Sequence, residues 1–490
     1  MKYRFLLIFL LAVQFIQAYP HSGNPAYHVI IDTDGALDDM RAITMLLSCN
    51  DVRVLAITCS DGTLSADSTV VKVKELLSTF HHEGIPVGIG NNTGEDFPAW
   101  SSFVQSVQWG EEPEGDDDLR PGVPGFPVVD ALELMDKVTD GYRKKITLVA
   151  LGSLATYTSW LNAAPGKQDQ IDRIIWYNAS PLEEGFNYQY DPEGFEFLEK
   201  SGIDMHIVSG PAGGLPVSSE YINLMENSAS QYAQHIARIH NRAGINEKVR
   251  QQQLRLWDDL VPLYLTVPVL FDVRHEHQIS FATPVAHLSS SLIYGIIREL
   301  LASSLQPGNK VLSAFPVEAE HYQPAYESML SATIEAFGMT EWKAIVLTNE
   351  IHGHTGIYSI IGAKMGIRAM EYFNVGVNNL VVESFAGFAP PLSCFNDGIQ
   401  ISTGATIGQG LIHVSDSVSA IPSAKFQCNH LEVQISLREE LAERMAQDIV
   451  YGEKTYGILT DAYWLYIERM AQAYWAEFDR NEIFRISVVD

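Results

Sequence analysis

A short apolar run near the start of the chain ends in a dense group of carboxylates. Val29–Ile31 is β-branched, and four aspartates follow it within eight positions, at Asp32, Asp34, Asp38 and Asp39. In an α/β protein, ligands bind where a strand ends and a helix begins. Four acids in a partly dry site repel one another strongly unless a cation neutralises them. Helix capping explains one or two of these acids but not four, so the run predicts a divalent-cation site.

The composition favours a neutral or cationic small ligand, or a bound cation. Lysine and arginine number 32 against 60 acidic residues, which gives a net charge of −28. A nucleic-acid polymer or an anionic membrane surface would be repelled by such a chain. Carboxylate oxygens at a turn are hard ligands, and they suit Ca²⁺ better than a softer metal.

The first residues and the cysteines bear on where the protein acts. Residues 1–18 have the pattern of a secretory signal peptide, in which a basic start precedes the apolar run Phe5–Ile16 and Ala18 is suited to cleavage. We therefore expect a secreted or periplasmic protein with no membrane span after cleavage, the alternative being an uncleaved anchor. The four cysteines are too few for a disulfide scaffold, and Cys49 and Cys59 are expected to be buried thiols.

Short β-branched runs alternate with helical stretches from Tyr27 onward. This alternation predicts an α/β fold with a mainly parallel sheet and flanking helices. A chain of 490 residues is too long for one ordinary domain. Turn-forming residues near 306–309 predict a boundary between a first domain over 27–305 and a second, smaller α/β domain over 310–490. Its ligand-type residues, described below, make the second domain a predicted metal-binding domain. The predicted strands of the first domain are Tyr27–Asp32, Val52–Thr58, Ile85–Ile89, Ile146–Leu151, Ile171–Trp176 and Met205–Ser209.

Two later stretches could contribute to a ligand site. The loop Pro98–Pro127 is long enough to be a lid or a binding loop, and Trp100 and Trp109 are candidates to cover a ligand. Asp191–Glu193 has the pattern of a helix start, with aspartate as the cap and proline at the first helical position. That structural role leaves the nearby Asn187 free for a polar ligand.

Taken in order, these motifs resemble those of nucleoside hydrolases of the inosine–uridine type over residues 27–280. That family carries an Asp-Thr-Asp-Pro-Gly-x-Asp-Asp motif, which Asp32–Asp39 matches with Gly35 and Ala36 in place of Pro-Gly. Later landmarks of the family match, in the right order, at Gly152–Thr156, Gly185–Asn187, Asp191–Glu193 and Trp257–Asp258.

The resemblance implies an enzyme that hydrolyses the N-glycosidic bond of nucleosides to ribose and free base with a Ca²⁺-bound water. Asp34 would bind Ca²⁺ and act as the general base, while Asp39, the Leu151 carbonyl and Asp258 would complete the protein ligands. Taken alone, Asp258 could equally complement the dipole of the helix that it opens. The nucleoside would be held by Asp38, Asn187, Asn178, Glu184 and Trp257.

Three positions depart from the family pattern. Trp257 replaces a histidine used near the leaving base, so protonation of the leaving group lacks an obvious donor, although the indole could stack on a base. Gly185 replaces a ribose-binding glutamate, with Glu184 one residue away, and Asp61-Gly62 stands where Gly-Asn is usual. The alternative to an enzyme is therefore a secreted nucleoside- or sugar-binding or sensing protein with a degenerate hydrolase site and a zinc-binding accessory domain.

The second domain carries a different set of ligand-type residues. A strand over Ala344–Thr348 and a long helix over Ile357–Phe373 are predicted on either side of His352 and His354. Two histidines in a turn can reach one metal, and Cys394 could add a thiolate to make a Zn²⁺-type set. The histidines could equally cap the helix or bond to backbone.

Residues 340–412 resemble a family named for formylmethanofuran dehydrogenase. Its His-Gly-His and Cys-x-x-Asp-Gly/Ala-Ile-Gln motifs match His352–His354 and Cys394–Gln400, while Ala405 stands at a cysteine of a third motif. The resemblance favours Zn²⁺ at His352, His354 and Cys394. The last helix of the chain has an apolar stripe of the kind used in core or dimer packing, which leaves room for a homo-oligomer.

Overall fold

The computed structural model describes residues 25–90, 97–110, 125, 127–211, 213–303 and 311–489. The predicted signal peptide over residues 1–18, the acidic part of the Pro98–Pro127 loop and the predicted domain boundary lie outside these residues. Within the described ranges, no helix is both long enough and apolar enough to cross a bilayer.

The first domain is built on a sheet of nine strands. Its first strand, Tyr27–Thr33, lies inside the sheet with parallel neighbours on both sides, and the apolar run Val29–Ile31 is fully buried. All six predicted strands are present, with ends that differ by at most two residues. In chain order the strands are β1 Tyr27–Thr33, β2 Val52–Cys59, β3 Val87–Ile89, β4 Val129–Asp130, β5 Ile146–Ala150, β6 Ile171–Tyr177, β7 Met205–Val208, β8 Leu215–Pro216, β9 Arg255–Leu256, β10 Phe271–Glu276 and β11 Ile279–Pro284.

The order of strands confirms a mainly parallel α/β sheet. The order is β10-β11-β7-β6-β5-β1-β2-β3-β4, and each neighbouring pair is parallel except the edge pair β10–β11. Strands β8 and β9 pair separately. Parallel strands place all their carboxyl ends at one edge, where the loops after β1, β5 and β6 meet.

Helices cover this sheet and form much of the second domain. Local capping supports several of them: Ser65 accepts a hydrogen bond from the amide of Ser68, and Asp191 accepts one from the amide of Gly194, as predicted. The helices are α1 Leu37–Ser48, α2 Ala66–Thr79, α3 Ser101–Ser106, α4 Ala131–Thr139, α5 Ala155–Ala163, α6 Phe186–Tyr190, α7 Pro192–Ser201, α8 Ser219–Glu226, α9 Gln231–His240, α10 Ala243–Arg250, α11 Leu260–Thr266, α12 Ser290–Leu301, α13 Pro324–His352, α14 Ile357–Phe373, α15 Phe395–Thr403, α16 Glu439–Tyr456 and α17 Asp461–Glu477.

The second domain has its own five-stranded sheet and its own core. The sheet order is β13-β12-β14-β15-β16, and its core begins at Leu330, after the core of the first domain has ended at Leu301. A second, smaller α/β domain is thus confirmed. Its strands are β12 Val381–Ser384, β13 Ile412–Val414, β14 Ser423–Cys428, β15 Leu431–Leu437 and β16 Phe484–Val488.

The predicted strand over Ala344–Thr348 is wrong, because this segment is helical. It lies in α13, which breaks at Gly338 (φ 85°, ψ 161°) and continues to His352. Ala344, Ile345 and Thr348 are the buried residues of the segment, a spacing that fits one helical face, and the Thr348 hydroxyl bonds to the Ala344 carbonyl at 2.7 Å. The short apolar run is therefore a buried helical turn.

The second domain docks at the amino-terminal edge of the first domain's sheet. The Gly84 amide donates to the Tyr372 carbonyl at 2.6 Å, and His82 Nδ1 lies 2.8 Å from the Glu371 carbonyl, both just before β3. At the start of β2, Arg53 donates to the amide oxygen of Asn379 at 2.9 Å. These contacts lie at the edge opposite the carboxyl ends of the strands.

Candidate functional site

A bend after β1 brings three of the four clustered aspartates together. Gly35 has a φ of 79°, which favours glycine, and it turns the chain from β1 into α1. The Thr33 hydroxyl then donates to Asp39 Oδ2 at 2.7 Å, and the Asp34 amide donates to the same oxygen at 3.1 Å. The side chain of Asp39 is thus fixed over the end of the strand.

Carboxylates from two distant parts of the chain meet at this point. Asp38, Asp39 and Asp258 each offer an oxygen, and these oxygens lie within 4.8 Å of one another. In the described part of the chain, this is the only set of three or more metal-ligating side chains that meets that distance. Asp258 comes from the segment that leads into α11, which brings a residue more than 200 positions away to the end of β1.

Asp34 lies beside this group and is held separately. The backbone amide and the hydroxyl of Thr63 both bond to its carboxylate. A Cβ at Gly62 would lie 2.2 Å from Asp34 Oδ2, and one at Gly152 would lie 3.2 Å from Asp34 Cβ. These two glycines therefore leave the space that the Asp34 side chain occupies, which gives a structural reason for the departure at Gly62.

The electrostatics of the group favour the binding of a cation. Burial, followed by the charge of Asp39, raises the pKa of Asp34 and of Asp258 well above the usual range and that of Asp38 to about 7. The Oδ1 atoms of Asp34, Asp39 and Asp258 are buried and have no hydrogen-bond partner. Buried carboxylate oxygens without donors are well suited to a hard cation such as Ca²⁺.

Asp32 supports the site without belonging to the open group. Its carboxylate accepts from the Thr58 hydroxyl at 2.6 Å and from the Ser60 hydroxyl at 2.8 Å. Burial still raises its pKa to about 7, and the hydrogen bonds from Thr58 and Ser60 partly offset that increase. No separate role was predicted for Asp32. Both of its carboxylate oxygens have hydroxyl donors, on and after β2, whereas Asp34 Oδ1 has none.

The ends of β5 and β6 bring Leu151 and Asn187 to the same edge. The Asn187 side chain donates to the Leu151 carbonyl at 2.8 Å and to the Tyr177 carbonyl at 3.1 Å. This arrangement leaves Asn187 Oδ1 to accept a hydroxyl. The predicted calcium ligand Leu151 and the predicted ribose ligand Asn187 are therefore neighbours.

Asn178, a predicted substrate contact, makes hydrogen bonds within its own loop. Its Nδ2 donates to the carbonyls of Ala179 and Leu182 at 3.0 and 2.8 Å, and its Oδ1 accepts from the Tyr188 amide at 3.0 Å. The side chain is thus used to shape its own loop. A Cβ at Gly185 would lie 2.1 Å from Asn178 Oδ1. The glycine that stands in place of the family's glutamate therefore leaves the space that the Asn178 side chain occupies.

The remaining predicted substrate contacts lie on exposed loops. Glu184 is exposed at the end of the 3₁₀ turn Leu182–Glu184. Trp257 is 44% exposed, and its indole packs against Gly214. Trp100 is also exposed, with its ring 5.6 Å from Phe186. The prediction that Trp109 covers a ligand is wrong, because Trp109 is 1% exposed and belongs to the core.

Three residues near the acids were not predicted from the sequence. Arg41 and Asp259 form an ion pair at 2.9 Å, with side chains that are 1% and 0% exposed. Burial, followed by the charges of Asp258 and Asp38, raises the pKa of Tyr177, so its phenol keeps its proton at neutral pH. Tyr177 directly precedes Asn178 at the end of β6, and that position was the only signal for it.

The histidines of the second domain form a separate candidate centre. His352 Nδ1 lies 2.8 Å from Asp397 Oδ2, and its Nε2 is buried without a partner. The ring of His354 lies 4.4 Å from that of His352. Cys394 is only partly buried, and it does not join the histidines in a set of three ligand atoms within 4.8 Å. The ligand atoms of the predicted zinc set, His352, His354 and Cys394, are therefore not brought within that distance, and Asp397 is a contact of His352 that was not predicted.

Comparison with known families agrees with both parts of the fold. The family model described as inosine-uridine preferring nucleoside hydrolase matches residues 29–310, which is more than half of the chain. A second model, described as FmdE, molybdenum formylmethanofuran dehydrogenase operon, matches residues 351–477.

Three individual relatives share between 18% and 30% sequence identity with this chain. The pyrimidine-specific ribonucleoside hydrolase RihA of Klebsiella pneumoniae is 28% identical over 190 residues, and that of Salmonella arizonae is 30% identical over 190 residues. Each alignment covers 36% of this chain and 58% of the relative's length. Among solved structures, a plant nucleoside hydrolase is 18% identical, with a TM-score of 0.43 over 56% of this chain and 99% of its own. From its matched residues, the chain belongs to the inosine-uridine preferring nucleoside hydrolase family and carries an FmdE-type domain after it.

Proposed function

We propose that the chain hydrolyses the N-glycosidic bond of nucleosides to ribose and free base at a Ca²⁺ site. The observation that supports this most strongly is the set of buried, unpartnered Oδ1 atoms on Asp34, Asp39 and Asp258. The donors are all oxygens, as Ca²⁺ requires, and the Leu151 carbonyl at the same edge would add another. Bound there, Ca²⁺ would make a water more acidic and would hold ribose hydroxyls.

In this proposal Asp34 would act as the general base. Its carboxylate lies beside Asp38 and Asp39, and Thr63 holds it in position through two hydrogen bonds. The proton of the attacking water would pass to this carboxylate.

Two further residues would bind and polarise the ribose. Asp38 is partly buried and can accept a ribose hydroxyl, as can the free Oδ1 of Asn187. Breaking the N-glycosidic bond builds positive charge on the sugar ring, and the surrounding carboxylates stabilise that charge. The binding of ribose and the stabilisation of the transition state thus use the same group of acids.

The base would lie towards Trp257. Its exposed indole offers a stacking surface next to Asp258, and stacking accepts any base. Two relatives are named pyrimidine-specific, so uridine and cytidine are the first substrates to test.

The test of this proposal is release of free base from a panel of uridine, cytidine, inosine and adenosine. We expect release from at least one nucleoside and a loss on the order of 1,000-fold in Asp34→Asn, as for a group that both positions a water and accepts its proton. Asp172→Asn is the matched control, because Asp172 is an exposed carboxylate on β6. Equal activity in wild type and Asp34→Asn would contradict the role of Asp34.

A second candidate is a protein that binds nucleosides without turnover. The observation that favours it is Asn178, whose two Nδ2 hydrogens both go to backbone carbonyls of its own loop. Under this alternative, a nucleoside raises the melting temperature in the presence of Ca²⁺ while no base is released. Base release above the rate of Asp34→Asn rules it out.

We also propose that the second domain binds Zn²⁺ through His352. Asp397 fixes the Nδ1 proton of His352, which leaves the buried Nε2 to coordinate, an arrangement common around zinc-bound histidines. Zinc analysis of the purified protein is the test, with loss expected in His352→Ala and retention in His413→Ala, an exposed histidine on β13. The composition of residues 1–18 is the basis for proposing that both centres work in a secreted or periplasmic protein.

A further inference from the structure

A buried ion pair joins the two chain segments that supply the acid cluster. Arg41 lies two residues after Asp39 on α1, and Asp259 directly follows Asp258. Arg41 donates from Nε to Asp259 Oδ1 and from Nη2 to Asp259 Oδ2, both at 2.9 Å. This two-pronged contact fixes both the distance and the angle between the partners, which a single contact would not do.

Two further N–H groups of the guanidinium also have acceptors. Nη2 donates to the Arg255 carbonyl at 2.6 Å, and Nη1 lies 3.3 Å from His240 Nε2. His240 Nδ1 lies 2.8 Å from the Ile236 carbonyl and must carry the proton, so Nε2 accepts from Arg41. The arginine is thus tied to β9, α9 and the segment before α11 at once.

Stability alone explains this pair poorly. Both side chains are out of water, and replacing a buried ion pair with apolar residues is often neutral or stabilising. The pair does, however, span the join between Asp39 and Asp258, whose carboxylates repel each other. An element that holds the two segments at a set distance is needed for a cation to find all its ligands in place.

We propose that Arg41 and Asp259 are positioning residues that set the separation of Asp39 and Asp258 and thereby the cation affinity of the site. This inference rests on the proposed function only in requiring that the acid cluster binds a divalent cation. Lysine cannot replace Arg41 in this role, because an ammonium group is a point charge without the planar fork.

The test measures Ca²⁺ affinity by calorimetry on the full chain, together with urea unfolding in chelator. Arg41→Lys keeps the charge and should bind Ca²⁺ roughly tenfold more weakly than wild type or worse, because the two-pronged contact is lost. The double variant Arg41→Met/Asp259→Leu removes both charges, so it should unfold near the wild-type urea midpoint and still bind roughly tenfold more weakly or worse. A folded variant of either kind that binds within about threefold of wild type overturns the proposal.

Arg368→Lys is the matched control. Arg368 is 1% exposed and pairs with Glu83 at 3.1 Å, at the contact between the domains. Its substitution should leave Ca²⁺ affinity within about threefold of wild type. If Arg368→Lys loses as much Ca²⁺ affinity as Arg41→Lys, the loss comes from a general effect on the fold, and positioning by Arg41 is refuted. If the double variant fails to fold, the Ca²⁺ affinity of Arg41→Lys still decides whether Arg41 is a positioning residue. Wild-type protein that binds no Ca²⁺ refutes the cation site itself, whereas equal binding by all proteins refutes only the positioning role.

Discussion

Gly62→Ala is a sharp test of how Asp34 is held. The new Cβ would lie 2.2 Å from Asp34 Oδ2 and 2.8 Å from Asp34 Cγ, whereas an ordinary contact is about 3.4 Å or more. The Asp34 carboxylate must therefore move by about 1 Å, and a displacement of that size costs about 100-fold in rate. Overpacking adds about 1–3 kcal/mol of destabilisation. Gly62 does not have a positive φ, so the effect comes from space and not from backbone strain.

The assay combines base release with Ca²⁺ affinity and urea unfolding. Gly244→Ala is the matched control, because a Cβ at this helical position meets nothing within 4 Å. Alanine there should leave activity unchanged and stabilise the protein by roughly 0.5–1 kcal/mol. If Gly62→Ala keeps base release and Ca²⁺ affinity within about threefold of wild type, Asp34 is not held as described.

Three other substitutions test the acid group, the base site and the pH dependence of stability. Asp258→Asn removes a charge from the acid group and should weaken Ca²⁺ binding roughly tenfold or more by calorimetry, since the number of charged ligands sets calcium affinity. Trp257→Ala should raise KM about tenfold with little change in kcat, because stacking on a base is worth about 1–3 kcal/mol and this indole is half-exposed. An unchanged KM would show that the base lies elsewhere. Burial lowers the pKa of His82 from 6.5 to about 4. The unfolded chain therefore binds more protons below pH 6.5, and stability falls as the pH falls. Between about pH 7.5 and 5.5 this residue should contribute a loss of about 1.4 kcal/mol, absent in His82→Gln, in urea unfolding.

The acid motif allowed a good prediction of the first domain. The run from Val29 to Asp39 predicted a buried strand, a bend and a helix, and each is present because burial and the glycine turn are local properties. The partners of the motif were harder to predict. Asp258 could be matched by resemblance, but the pairing of Arg41 with Asp259 depends on packing between α1 and a segment more than 200 residues away.

The failed strand prediction for Ala344–Thr348 and the unpredicted partners of Asn178 have a common physical reason. Each local pattern is compatible with two structures, and tertiary contacts decide between them. The Nδ2 group of Asn178 donates to the carbonyls of its own loop. The apolar run in α13 buries one helical face and has no strand neighbour.

The docking of the domains bears on how the two candidate centres relate. Contacts from Gly84 and Arg53 place the second domain at the amino-terminal edge of the first sheet, and the acid cluster lies at the carboxyl edge. The second domain therefore does not close over the acid cluster through these contacts. Each centre can be tested by its own variants in the full chain.

The measurement that tests the central claim most directly is the cation dependence of base release by the full chain. Nucleoside hydrolysis should stop when a chelator removes Ca²⁺ and should return when Ca²⁺ is added in excess, because the buried oxygens of Asp34, Asp39 and Asp258 need a cation to be satisfied. Base release that continues unchanged in chelator would contradict the account, as would Ca²⁺ binding with no release of base from any nucleoside in the panel.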